Sequence, residues 1–111
     1  MIKQIPDHPN YAVSDRGDVY KITQDGLVEL KKDISTGYAR IELDNRKYYI
    51  ARLVAEQFLP EPTDPSLKIF YIDGDRTNCD STNLVWLSKS EIQRYSSFTY
   101  EYRQELLRGR V

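Results

Sequence analysis

The chain has 111 residues, with 16 Lys and Arg against 17 Asp and Glu, one His, one Cys and one Trp. That length fits one domain, residues 1–111, with a modest core, and the lone Cys and lone His exclude an internal disulfide, a Cys-based zinc cage and a His-pair metal site. A net charge of -1 disfavours an electrostatically dominated nucleic-acid binder, while the 9 Tyr residues raise the aromatic content to 12%.

No stretch reaches the ~20 apolar residues of a membrane span or resembles a signal peptide, so a cytoplasmic protein without membrane contact is expected. The opening Ile5-Pro6-Asp7-His8-Pro9-Asn10 reads as turns and Tyr11-Ala12-Val13 as a short strand. Ser14 to Asp18 is a turn before a second strand, Val19 to Ile22. Asp25-Gly26 signals another turn, followed by Leu27 to Leu30. Tyr38 to Leu43 alternates apolar and polar, and Asp44-Asn45-Arg46-Lys47 turns it into Tyr48 to Ile50. Residues 1–49 therefore predict consecutive antiparallel hairpins.

The period then changes. Ile50, Leu53, Val54 and Phe58 fall at helical spacing, and the helix must end before Pro60. Ile69 to Ile72 predicts a strand, Asp73-Gly74-Asp75 a turn, Arg76 to Asn83 a polar loop and Leu84 to Leu87 a last strand. Ser88 with Glu91 three residues on predicts a capped helix start. Ile92, Tyr95, Tyr102, Leu106 and Leu107 predict one helix broken near Ser96-Ser97, or two short ones, with Gly109 at the end. The fold class is α+β.

Charge is unevenly spread. Residues 60–87 carry Lys68 and Arg76 against Glu61, Asp64, Asp73, Asp75 and Asp80. Residues 88–111 carry Lys89, Arg94, Arg103, Arg108 and Arg110 against Glu91, Glu101 and Glu105. A near-neutral total thus hides an acidic middle and a basic tail.

Three ordered stretches, Ile50-Ala51-Arg52-Leu53-Val54-Ala55-Glu56-Gln57-Phe58, Ile69-Phe70-Tyr71-Ile72-Asp73-Gly74-Asp75-Arg76-Thr77-Asn78 and Asn83-Leu84-Val85-Trp86-Leu87-Ser88, resemble the HNH endonucleases of phages and mobile introns, in their homing-endonuclease-like branch. Ile5 to Ile22, with Tyr11 to Tyr20 at its centre, resembles the short DNA-associated module found ahead of this HNH type, and Gly37-Tyr38 with the strand after it also matches. The resemblance implies a ββα unit over 50–95, preceded by the hairpin region and followed by a helical tail over 96–111. It also implies hydrolysis of a phosphodiester with one divalent metal and a His base.

Carried over by position, however, the base is Tyr71, the metal-ligand position before it Phe70, the late metal-ligand position Ile92, and the His opening the helix motif Ala51; only the orienting Asn, Asn83, is kept. A phenol with a reference pKa of about 10 is a poor substitute for imidazole, and Phe and Ile cannot ligate a hard cation. The ββα unit thus reads as degenerate: no catalytic residue, no metal ligand and no cofactor are expected, and the chain is read as a catalytically inactive, phage-type protein acting by binding. One alternative is a relocated nuclease site at Asp73, Asp75, Asp80 or Asn78; another is a nuclease-derived DNA-binding protein. His8 reads as a loop residue, Cys79 as an incidental thiol and Trp86 as a core aromatic.

Candidate binding residues are Lys31, Lys32, Arg40, Arg46 and Lys47 on the hairpins, with Arg16 and Lys21 near them. On the tail they are Arg94, Tyr95, Phe98, Tyr100, Tyr102, Arg103, Arg108 and Arg110. A host or phage protein, or a protein–DNA complex, is the leading partner, with double-stranded DNA alone or a second copy of the chain as the others. The acidic 60–87 block argues against DNA through phosphate repulsion.

Overall fold

The computed structural model describes residues 1–107. Its elements run β1 (Ile2–Ile5), β2 (His8–Ser14), β3 (Val19–Thr23), β4 (Gly26–Glu29), β5 (Arg40–Leu43), β6 (Arg46–Tyr49), α1 (Ile50–Phe58), β7 (Lys68–Tyr71), β8 (Leu84–Leu87), α2 (Lys89–Ser96) and α3 (Tyr100–Leu107). Strands β1 to β4 form an antiparallel sheet in chain order, while β5–β6 and β7–β8 are separate two-stranded ribbons. The α+β expectation holds. No described helix is long and apolar enough to cross a membrane.

Ile5, the last residue of β1, and the first residues of β2, His8 to Asn10, stand where the sequence predicted turns, and the rest of β1 had no prediction. Pro9 is accommodated because the β1–β2 register shifts beside it, between Gln4 and Ile5, so the missing donor falls at an irregularity. His8 is accordingly not a loose loop residue: its Nδ1 lies 2.7 Å from Asp44 Oδ2, and its ring packs edge-on to Tyr48 at 4.9 Å. The β5–β6 turn is shorter than predicted. Asp44 and Asn45 alone turn the chain, at φ 51 and 70, and Arg46 and Lys47 belong to β6. Two left-handed residues suit the twist of a two-residue hairpin, and Asp and Asn tolerate that region best.

Helix α1 begins directly from β6, with extended Tyr49 as its N-cap, and stops at Leu59 before Pro60. It buries Ile50, Ala51, Leu53, Val54 and Ala55. Of these, Ile50, Ala51, Leu53 and Val54 meet Val13, Val19, Ile41, Leu43 and Leu84 in a first apolar cluster. Ribbon β7–β8 separates this from a second cluster of Phe70, Ile72, Val85, Leu87 and Leu107. The two-residue period of a strand explains the division: Ile69 and Tyr71 face the first cluster, Phe70 and Ile72 the second.

The predicted cap of α2 is present: Ser88 Oγ accepts from Glu91 N at 3.2 Å, and Glu91 Oε1 accepts from Ser88 N at 3.1 Å. The break near Ser96-Ser97 is real, and α3 re-enters the fold through fully buried Leu107. The expected end at Gly109 lies outside the described residues.

Candidate functional site

A groove of about 630 Å³ opens between α1, β7, the loop after β7, α2 and α3. Ala51, Phe70, Tyr71 and Ile92 all line it. Four of the five positions singled out by resemblance are therefore brought together. The fifth, Asn83, is 4% exposed and does not line the groove. It serves the loop instead: its Oδ1 accepts from Asp73 N at 2.9 Å, and its Nδ2 donates to Asp73 Oδ1 at 2.8 Å and to Asn78 O at 3.0 Å.

The groove carries the opposite charge to that expected of the 60–87 block. Arg52 of α1, Lys68 of β7, Arg76 of the following loop and Arg103 of α3 line it, and no Asp or Glu among the described residues does. The carboxylates nearby in sequence are turned into their own loop. Asp73 Oδ2 accepts from Asn78 Nδ2 at 2.8 Å and Asp73 Oδ1 from Asp75 N at 2.8 Å. Asp75 Oδ1 accepts from Thr77 N and Oγ1 at 2.9 and 2.6 Å, which lowers its pKa. Asp80 Oδ1 takes the same pair of bonds from Thr82. The carboxylates of this block keep their charge but do not line the groove, because a chain segment's summed charge says nothing about where its side chains point.

Aromatic rings support the cations. Arg76 Cζ lies 5.0 Å from the Tyr38 ring centroid, and Tyr38 packs edge-on against Tyr49 at 5.3 Å and Tyr71 at 6.4 Å. Arg103 Cζ lies 5.8 Å from the ring centroid of Phe70, which is 8% exposed. Burial, followed by the neighbouring Cys79 and Tyr38, raises the Tyr71 phenol above its ordinary pKa. A phenol held protonated in this way is further from serving as a base.

A divalent metal does not fit the residues present. Phe70 and Ile92 offer no donor atom, and no group of three or more His, Cys, Asp or Glu among the described residues is placed to hold a metal. Cys79 is 4% exposed within the first cluster, and burial pushes its thiol up to about 11. It is a core residue, with no access to chemistry. Trp86 is half-buried with its indole nitrogen unpartnered among the described residues, and it borders a separate cleft with Leu59 and Pro62.

The other candidate residues are dispersed. Lys32 pairs with Asp18 at 3.2 Å; Arg40 and Lys47 pair with Asp33 at 3.3 and 2.6 Å. Lys31 and Arg46 are exposed on the hairpins, as are Arg16 and Lys21. In the tail, Phe98 packs edge-on against Tyr95 at 5.7 Å and tilted against Tyr102 at 4.9 Å, joining α2 to α3. Arg94 and Tyr100 are exposed, and among the described residues Arg103 is the tail candidate that lines the groove. Arg108 and Arg110 lie outside the described residues. Arg52, Lys68 and Arg76 were not among the candidates. Arg52 had a legible signal, standing on the polar face of α1 beside Ala51; the placement of Arg76 depends on a loop that no periodicity describes.

Comparison with known proteins places these observations. A family model described as HNH endonuclease matches residues 48–94. An uncharacterised HNH endonuclease of Acanthamoeba polyphaga mimivirus is 28% identical over 109 residues, covering 93% of this chain and 27% of that protein. A solved structure of the HNH homing endonuclease I-HmuI, reported for DNA binding and cleavage, superposes with a TM-score of 0.69 at 27% identity. That match covers 96% of this chain and 65% of the other. The chain thus spans about a quarter of the viral relative and under two thirds of the solved one. Sequence over residues 48–94 and the overall fold agree that the chain is similar to HNH endonucleases.

Proposed function

We propose that this chain binds the backbone of DNA in the cationic groove without cutting it. The observation that carries this reading is the groove's lining. The positions that hold catalytic groups by resemblance are Ala51, Phe70, Tyr71 and Ile92, while Arg52, Lys68, Arg76 and Arg103 stand around them with no carboxylate. Cations fixed on a protein surface bind phosphates and release counterions, whatever the base sequence. The solved relative, a protein reported to bind and cleave DNA, supports the same ligand class. Loss of a general base alone costs roughly 10²–10⁴ in rate, and the missing metal donors remove Lewis-acid assistance as well.

The test is fluorescence anisotropy with a labelled duplex across a salt series, beside a supercoiled-plasmid nicking assay in Mg²⁺ and Mn²⁺. Four phosphate contacts give a slope of log affinity against log salt near −3.6, or roughly a hundredfold loss between 50 and 200 mM. No plasmid nicking is expected. Absence of duplex binding at low salt sinks the reading, and nicking abolished by Asp73→Ala or Asp75→Ala restores the relocated-site alternative.

A second reading, a host or phage protein partner, draws on one feature. Edge strand β4 exposes Leu27 and Val28, with Ile22 also exposed directly across from Leu27. Unpaired apolar edges of this kind are templates for another chain. A pull-down that returns the same protein with wild type and with Leu27→Lys speaks against it.

A further inference from the structure

We propose that Arg103 makes the groove a metal-independent phosphodiester site, its guanidinium supplying as a fixed charge what a divalent ion would otherwise bring. The proposal rests on the DNA-backbone reading and adds to it which residue does the work and under what ionic conditions. Arg103 lies beyond residues 48–94 that match the family model. It reaches the groove because it shares a helix face with Leu107, four residues on, and Leu107 is fully buried in the second cluster beside Phe70. The same anchor that docks α3 therefore carries the guanidinium in over Phe70, with Cζ 5.8 Å from the ring centroid. It passes above Gly74, where a built Cβ would meet Nη2 at 4.0 Å.

Three features point to an anion as the missing partner. First, Arg52, Lys68, Arg76 and Arg103 converge from four segments of the chain, with no lining carboxylate to offset them. Like charges gathered in a partly enclosed groove repel, and an anion relieves that repulsion. Second, Arg103 Nε is shielded from solvent and has no hydrogen-bond partner among the described residues. Third, a guanidinium offers a planar fork of donors matched to two phosphate oxygens, whereas an aromatic ring beneath it fixes its position. A guanidinium cannot ionise a bound water, so the exchange of metal for arginine keeps the hold on phosphate and gives up the hydrolysis.

The experiment measures affinity of the whole chain for a labelled duplex at 50 mM salt in EDTA and again in Mg²⁺. Arg103→Met keeps the aliphatic stem over Phe70 and removes the charge; Arg103→Lys restores charge without the fork. Arg52→Ala and Arg76→Ala serve as groove controls, and a thermal melt checks each fold. Wild type binds as tightly in EDTA as in Mg²⁺. Arg103→Met weakens binding about tenfold and flattens the salt slope by about one, with Arg103→Lys intermediate. If wild type needs Mg²⁺ to bind, or if Arg103→Met binds like wild type while the groove controls weaken, the Arg103 proposal is overturned and the DNA reading survives. If wild type binds duplex in neither condition, the DNA reading itself fails.

Discussion

Asn83 is the one residue kept among the five catalytic positions assigned by resemblance, and its geometry predicts a structural rather than a chemical role. Replacing it with Ala removes three hydrogen bonds, at 2.9 Å from Asp73 N, 2.8 Å to Asp73 Oδ1 and 3.0 Å to Asn78 O. Two neutral bonds at about 1 kcal/mol each and one to a carboxylate at about 2 kcal/mol give a loss near 4 kcal/mol. The backbone bond from Ile72 N to Asn83 O at 2.8 Å is untouched, so ribbon β7–β8 persists while its loop loosens. Against a total stability of about 5–15 kcal/mol this is large, and it lowers the melting temperature by about 15 °C. In urea, with a slope of about 2 kcal/mol/M, the midpoint moves down by about 2 M. Asn83→Asp also destabilises: it can still accept from Asp73 N, but it loses both donations and sets a second carboxylate against Asp73 Oδ1. Because Asn83 does not line the groove, duplex affinity measured well below the melt stays within about threefold of wild type. A melting temperature within about 3 °C of wild type for Asn83→Ala would refute the reasoning, since the loop would then be held without it.

Three further outcomes follow from the same structure. Gly17 has φ +90, and a Cβ there would lie 2.9 Å from Cys79 Cβ and 3.1 Å from its carbonyl atoms, so Gly17→Ala loses about 2–4 kcal/mol by urea denaturation. Gly26→Ala, at φ +121 with nothing within 4 Å, loses only the backbone part, and equal losses at the two sites would contradict the packing argument. Asp33 is held well below the usual carboxylate range by the bond from Lys47 and by Ser35, so its contribution is complete above the unfolded value of about 4 and is lost as pH falls below it. The melting temperature of wild type therefore drops more steeply than that of Asp33→Asn on acidification from pH 4 to 2, and parallel curves would exclude this role. Finally, the buried Cys79 thiol, pushed up to about 11, reacts with a disulfide reagent at pH 8 roughly two orders of magnitude more slowly than in urea-unfolded chain; equal rates would place it at the surface.

Periodicity made much of the fold legible. The two-residue alternation of Val19 to Ile22 and of Ile41 to Leu43, the helical spacing of Ile50, Leu53, Val54 and Phe58, and the Ser88–Glu91 cap each specify an element through local chemistry. Strand β1 was hidden because Ile2 to Ile5 shows no alternation and two prolines follow, a composition that fits a turn as well as a bulged strand. The groove was half legible. Its lining at Ala51, Phe70, Tyr71 and Ile92 follows from spacing shared with a family, but its charge follows from side-chain direction. Asp73, Asp75 and Asp80 bond within their loop and Arg76 turns onto Tyr38, and no count along the chain distinguishes those outcomes. The tail shows the same limit, since Tyr95, Phe98 and Tyr102 have equal claim on paper to stack on one another or on a ligand.

The division of the apolar interior by ribbon β7–β8 has a thermodynamic consequence. Helix α3 contributes one fully buried side chain, Leu107, to a cluster of five, whereas α1 contributes four buried side chains to the cluster on the other side of the ribbon. Undocking α3 thus exposes far less apolar surface than undocking α1, and it is a low-lying opening that leaves the first cluster intact. Each such opening withdraws Arg103 from its place over Phe70. A ligand that engages Arg103 adds its own free energy to closure, and this couples occupancy of the site to the docking of α3.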